Sequence, residues 1–180
     1  MRPGLNRKLD YADYAAIADD GKRYEILEGG LHVTPAPSTA HQHASKRLQR
    51  QIEAYFEGRS LGEVFDAPID VILSAHDVVQ PDLVVARPEQ VSQRGLEGAP
   101  LLVVEILSPA TREHDRNRKA ARYAALSVPH LWLVDPDVRR VECCRLEHGR
   151  YAAAAEGGAA ASVRHPDWPG LTLELAPLWR

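Results

Sequence analysis

Apolar residues recur at three- and four-residue steps in "HQHASKRLQRQIEAYFEG" (41–58): Ala44, Leu48, Ile52, Tyr55 and Phe56. That stripe predicts a helix with one face on a core. Ser38 or Thr39 can cap its start, and Gly58 suits its end. A second helix is predicted over "TREHDRNRKAARYAALSV" (111–128), stopped before Pro129. Between them lie three strand-like runs, "EVFDAPIDVILS" (63–74), "VVQPDLVVAR" (78–87) and "PLLVVEILS" (100–108). The last two are apolar on both faces, as central strands covered by helices are. Pro81 removes a ladder donor and predicts a strand start, a bulge or a kink beside Asp82.

The flanks add shorter elements. "DYADYAAIAD" (10–19) reads as a short helix, and "RYEILEGGLHVTPAP" (23–37) as a hairpin turning at Glu28-Gly29-Gly30. "HLWLVDP" (130–136) is a strand, and "RRVECCRLEHGRY" (139–151) another with a hairpin partner. "AAAAEGGAAAS" (152–162) reads as a loose connection, and "HPDWPGLTLELAPLW" (165–179) as one strand piece with an apolar end that docks. The order helix, three strands, helix, strand, with additions at both ends, predicts a mixed α/β fold around one central sheet, in a single domain over 1–180.

Composition narrows the function classes. The net charge of −3 argues against a coat-like nucleic-acid binder, yet leaves room for an enzyme with local basic residues and metal ions. No apolar stretch follows "MRPGLNRKLD", so no secretory signal is expected, and no run approaches the roughly 20 residues that span a bilayer. A soluble, cytoplasmic protein is the expectation. Cys143 and Cys144 are adjacent; on a strand they point to opposite faces and cannot easily bridge, so they read as structural thiols in a reducing compartment.

Two acids interrupt the apolar runs. Alternation puts Gln80, Asp82 and Val84 on one strand face, and Val103, Glu105 and Leu107 on one face of the next. In neighbouring strands Asp82 and Glu105 can converge. A carboxylate among Leu and Val is costly to bury unless paired, hydrogen-bonded or metal-bound, and two converging ones repel unless a cation joins them. Mg²⁺, which takes hard oxygen ligands and often only one or two protein carboxylates, is the natural cation.

Pro81-Asp82 followed by Glu105 on the next strand resembles the PD-(D/E)XK nuclease signature, except that Leu107 stands where the lysine belongs. Some members of that superfamily carry the lysine on the following helix, and Lys119, the only lysine after Lys46, matches that position. More widely, "RYEILEGGLHVTPAPSTAHQ", "VVQPDLVVA", "GAPLLVVEILSPATREHDRNRKAARYAALSVPHLWLVDP" and "PGLTLELAPLW" resemble the Uma-two family of restriction-endonuclease-like proteins over nearly the whole chain. The resemblance implies an αβββαβ nuclease core with an added N-terminal hairpin and C-terminal strands. It implicates Glu25, Asp82, Glu105 and Lys119 as catalytic, Asp82 and Glu105 as metal ligands, and His41 and Gln80 as auxiliaries. It further implies an endonuclease acting on DNA with Mg²⁺ or Mn²⁺, and a homodimer where both strands are cut. The alternative is a nuclease-fold module without cleavage activity, serving nucleic-acid binding or assembly.

Locally several readings stay open. Glu25 is either the solvent face of a hairpin strand or a third carboxylate at the metal. Lys119 is either a surface lysine paired with Asp115 or the site's cation. Arg112, Arg116, Arg118 and Arg122 are either a solvated helix face or a phosphate-contact surface. His41, His43, His76 and His114 lack compact ligand spacing, which argues against zinc there, and His41 could instead make a helix-entry hydrogen bond. Trp132 reads as core. No Gly-rich phosphate loop supports a hydrolase of small phosphorylated substrates.

Overall fold

The computed structural model describes residues 7–180; the first six, on which part of the reading of a leader-free start rests, lie outside them. In chain order the elements are α1 (Tyr11–Ala15), β1 (Arg23–Leu27), β2 (Gly30–Thr34), α2 (Thr39–Phe56), β3 (Glu63–Asp66), β4 (Val71–Ser74), β5 (Asp77–Val79) and β6 (Leu83–Ala86). Then come β7 (Val91–Ser92), β8 (Gly95–Glu97), β9 (Leu102–Ile106), a π-helical turn (His114–Lys119) continuing into α3 (Ala120–Ala125), and β10 (His130–Asp135). β11 (Arg140–Glu147), β12 (Arg150–Gly158), β13 (Ser162–Arg164) and β14 (Thr172–Glu174) complete the chain.

The central mixed sheet has the order β12-β11-β10-β9-β6-β3, with β9 and β10 parallel and the other pairs antiparallel. α2 lays the predicted residues Ala44, Leu48, Ile52, Tyr55 and Phe56 on one face, and Ser38 caps it by accepting from the His41 amide. At about 1.5–3 kcal/mol for each large apolar side chain removed from water, this packing fixes the helix far more strongly than its cap does. On the opposite face Val84, Val103, Leu107, Leu131 and Leu133 pack with Tyr123 and Val128 and with Leu27, Val71, Val79 and Leu96. All five residues of β9 are buried, as a strand covered on both faces requires.

The mixed α/β class and the α2-β3-β6-β9-α3-β10 core follow the sequence pattern, but two expected strands are broken. The runs 63–74 and 78–87 each supply one strand to the central sheet and one to a second sheet of order β2-β1-β5-β4-β8-β7. Each break falls at a proline, Pro68 and Pro81, which cannot donate to a ladder. The N-terminal hairpin is therefore part of a second six-stranded sheet rather than an appendage. Its turn places Gly29 at φ +81°, where a Cβ would also collide with Lys8.

Three further expectations are corrected. "AAAAEGGAAAS" is not a loose connection, because most of it lies in edge strand β12, which pairs with β11 through residue 158. The first helix is one short turn, closed by a reciprocal Asp10–Asp13 cap. α2 gives way at Phe56 to a 3-10 turn, Glu57–Arg59, that contains Gly58 and is closed by a left-handed Ser60. Cys143 and Cys144 are free and buried, and no helix among the described residues is long and apolar enough to cross a membrane.

Candidate active site

Breaking the second run at Pro81 has a local consequence. Asp82 is released from the ladder just before β6, so its side chain serves the neighbouring strand: Oδ2 accepts from the Ile106 amide at 2.7 Å. His41, in the first turn of α2, brings Nε2 to 3.1 Å from the same oxygen. One amide donor and one imidazole, from different elements, thus hold one carboxylate.

Glu105, on the opposite sheet face from α2, is 3% exposed. Its Oε1 accepts from the Tyr123 hydroxyl at 2.6 Å and lies 2.8 Å from Lys119 Nζ. Lys119 Nζ also donates to Glu25 Oε1 at 3.0 Å and stands 4.0 Å from Asp115. Glu25 Oε1 accepts the Gln80 amide at 2.7 Å, and Thr34 donates to its other oxygen at 3.3 Å. Lys119 is 3% exposed, so the surface-lysine reading is wrong, and Glu25 is not on a solvent face.

All of these groups except Tyr123, which lies behind Glu105, line a cavity of about 290 Å³, together with Arg23, His32, Ser108, Thr111 and His114. Asp82 and Glu105 both face it. Gln80 lines it as well, but contributes its backbone amide; its side-chain amide donates to Asp70 and Tyr14, and its carbonyl accepts from Arg23. No three His, Cys or acidic donor atoms of this cavity lie within 4.8 Å of one another among the described residues, since Lys119 stands between Glu25 and Glu105.

The electrostatics follow from one ammonium among four carboxylates in a buried space. Burial raises the Glu105 carboxyl to about 8, opposed by Lys119 and reinforced by Asp115, Asp82 and Glu25. Burial also raises Asp115. Burial alone would raise Glu25, but Lys119 and the Gln80 amide more than offset it, and its carboxyl lies below the usual range. Burial would lower Lys119, yet Glu105, Glu25 and Asp115 hold it well above the ordinary lysine value. Tyr123 is raised far above a phenol's, first by burial and then by Glu105, so its hydroxyl stays a donor.

Sequence reasoning assigns no site role to Asp115, which it names only as a partner for Lys119, nor to Tyr123, His32 or Thr34. Asp115, Lys119 and Tyr123 follow at four-residue steps, one helix face, and that spacing was the available signal. His32 packs against His114 with ring centroids 4.9 Å apart and planes tilted by 44° at the cavity wall, a contact across elements that no local pattern announces. The four-arginine surface is mostly spent inside the protein. Arg112 pairs with Asp135 and Asp137, Arg116 with Glu142 and Arg122 with Asp77, leaving Arg118 exposed.

A family model described as "Uma2: Putative restriction endonuclease" matches residues 10–176. A crystal structure described as a putative nuclease belonging to DUF820, from Anabaena variabilis, superposes with a TM-score of 0.76 at 18% identity. The match covers 95% of this chain and 97% of that one, and shows a shared fold. No curated protein matches the sequence.

Proposed function

This chain belongs to the Uma2 family, and from that premise we propose that it is a divalent-metal-dependent endonuclease hydrolysing phosphodiester bonds in DNA. The observation that carries the reading is the excess of carboxylates over cations in one buried cavity, with Lys119 fixed among them. The donor set fits Mg²⁺. The hydrogen bonds given above engage Asp82 Oδ2 and Glu105 Oε1, leaving Asp82 Oδ1 and Glu105 Oε2 without a protein donor among the described residues. Two hard, oriented oxygens with open space beside them are what Mg²⁺ takes from a protein before water and phosphate complete its shell. Mn²⁺ can substitute.

When bound, such an ion acidifies water and offsets charge on the scissile phosphate. Asp82 and Glu105 hold it; His41 and the Ile106 amide orient Asp82, and Tyr123 orients Glu105. Lys119, held as an ammonium, cannot act as the base at neutral pH. Its part is to orient the nucleophile and to steady the charge that develops on the phosphoryl oxygens. Glu25 keeps that ammonium in place and neutralises it in the resting site. The unit of action is a single domain over residues 1–180 in the cytoplasm, working as a homodimer where both DNA strands are cut.

The test is cleavage of plasmid DNA in Mg²⁺ or Mn²⁺ by tag-free protein beside Asp82→Asn, Glu105→Gln and Lys119→Met. Each variant is expected to lose about 10²–10³ in rate, the cost of removing one transition-state-stabilising group. Cleavage at the native rate in all three would mean a contaminant or another site. Metal binding and salt-sensitive DNA binding without cleavage by the native chain would favour a nuclease-fold binding module instead.

A further inference from the structure

Away from the cavity, three side chains leave polar atoms buried and unpartnered in one place. His130 Nδ1, His165 Nε2 and Asp167 Oδ2 account for three of the seven such atoms among the described residues. Native proteins pair nearly all buried polar groups, so an orphaned trio calls for a missing partner. One donor atom from each residue lies within 4.8 Å of those of the other two, and His130 Nδ1 is 3.9 Å from Asp167 Oδ2. We propose that His130, His165 and Asp167 form a second metal site, which takes a transition-metal ion of the zinc class and clips the C-terminal hairpin to the central sheet.

The placement supports a clip. His130 opens β10; His165 follows β13, and Asp167 sits in the turn before β14. The β13–β14 hairpin contributes Val163 and Leu173 to the core that α2 also covers, so an ion here would tie that cover to the sheet. Asp167 is already fixed: its other oxygen accepts from Arg145 at 2.6 Å, and Arg145 is balanced by Glu147 at 2.5 Å. Trp168 packs on both imidazoles, with centroids 4.3 Å from each, and Trp132 stacks on His165. The rings are thereby held in an apolar shell, which strengthens ligand–metal attraction.

Two imidazoles and one carboxylate suit Zn²⁺ and its neighbours rather than Mg²⁺. Bonds of about 2.0–2.1 Å in a tetrahedron put ligand atoms roughly 3.3–3.5 Å apart. The His130–Asp167 gap of 3.9 Å must therefore close by about half an ångström, and separations from His165, bounded at 4.8 Å, by no more than about 1.5 Å. The fourth position falls to water on the side of Asp167, whose side chain is 26% exposed. Ligation through His165 Nε2 puts the ring proton on Nδ1, the atom that accepts from the Asp167 amide at 3.2 Å, so that amide must turn away to another acceptor when the ion binds. None of the three residues lines the nuclease cavity. His130 shares a sheet face with Trp132, whereas Glu105 lies on the other face.

The experiment uses tag-free, chelator-stripped protein titrated with Zn²⁺ by calorimetry and with Co²⁺ by visible absorption, in excess Mg²⁺ to fill the nuclease cavity. The expected result is one Zn²⁺ per chain, a raised Tm, and the intense d–d bands of a four-coordinate Co²⁺ site. Asp167→Asn keeps a partner for Arg145 and His165→Phe keeps the aromatic packing; each should weaken Zn²⁺ binding about tenfold or more. Native Zn²⁺ affinity in folded Asp167→Asn and His165→Phe would overturn the proposal. So would a native protein that binds no Zn²⁺ in the presence of Mg²⁺, or one that gives only the pale spectrum of six-coordinate Co²⁺. Should a variant fail to fold, the native Co²⁺ spectrum decides alone. Neither result depends on DNA cleavage, so this site and the nuclease reading stand or fall separately.

Discussion

Glu105 sits where burial, Asp115, Asp82 and Glu25 all disfavour its charge, and Lys119 and the Tyr123 hydroxyl favour it. With its folded value raised to about 8 from an ordinary 4.5, the folded chain binds a proton that the unfolded chain has released between those two values. The stability this contributes is full below about pH 4.5 and is lost as pH rises towards 8. Asp115, also raised, acts in the same direction. Metal-free protein should therefore show a Tm that declines from pH 5 to pH 8, and added Mg²⁺ should restore it most at the upper end. Glu105→Gln, which mimics the protonated carboxyl, should flatten that slope and abolish the Mg²⁺ response. A native slope in Glu105→Gln, followed by calorimetry across the same range, would contradict the assignment of the proton.

At the scale of elements, the π-helical turn and α3 deliver Lys119. In the turn the Ala120 amide reaches the Asp115 carbonyl, an i→i+5 bond that brings residues five apart onto one side, so His114 and Lys119 both face the cavity. α3 is fastened to the second sheet by Arg122, whose Nε and Nη2 donate to Asp77 at 2.7 and 2.6 Å. Asp77 is fully buried and also accepts from the Glu28 amide and Ser74 hydroxyl. Arg122→Ala should cost about 3–5 kcal/mol in urea unfolding, since it strands a buried carboxylate. It should also reduce cleavage, because β1 and β5 lead to Glu25 and to the Gln80 amide. A loss under about 1 kcal/mol would mean that the pair is no more than a surface bridge. Periodicity made α2 legible residue by residue, because its apolar stripe meets one sheet. It joined β3 to β4 and β5 to β6, because the chain changes sheets at Pro68 and Pro81 while apolar character continues. The alanine run of β12 carries little strand propensity, and pairing with β11 overrides it.

For the whole molecule, two sheets and two helical segments converge on the cavity: β1 brings Glu25, the stretches around β6 and β9 bring Asp82 and Glu105, the start of α2 brings His41, and the segment leading into α3 brings Lys119. That convergence was partly legible. Asp82 and Glu105 stood out as acids in apolar runs, and Lys119 as the lone lysine after the second, but Glu25 was singled out by resemblance alone. The His130, His165 and Asp167 trio was not visible, since its members come from a strand and a turn more than thirty residues apart in the sequence. The central claim is that Asp82 and Glu105 share one divalent cation beside the Lys119 ammonium. Anomalous scattering from Mn²⁺-soaked crystals of the native protein tests it most directly. The account predicts a peak within about 2.0–2.3 Å of an oxygen from each carboxylate, with Lys119 Nζ within a few ångströms of it. Density that touches neither carboxylate, or a cavity that stays empty in millimolar Mn²⁺, would contradict it.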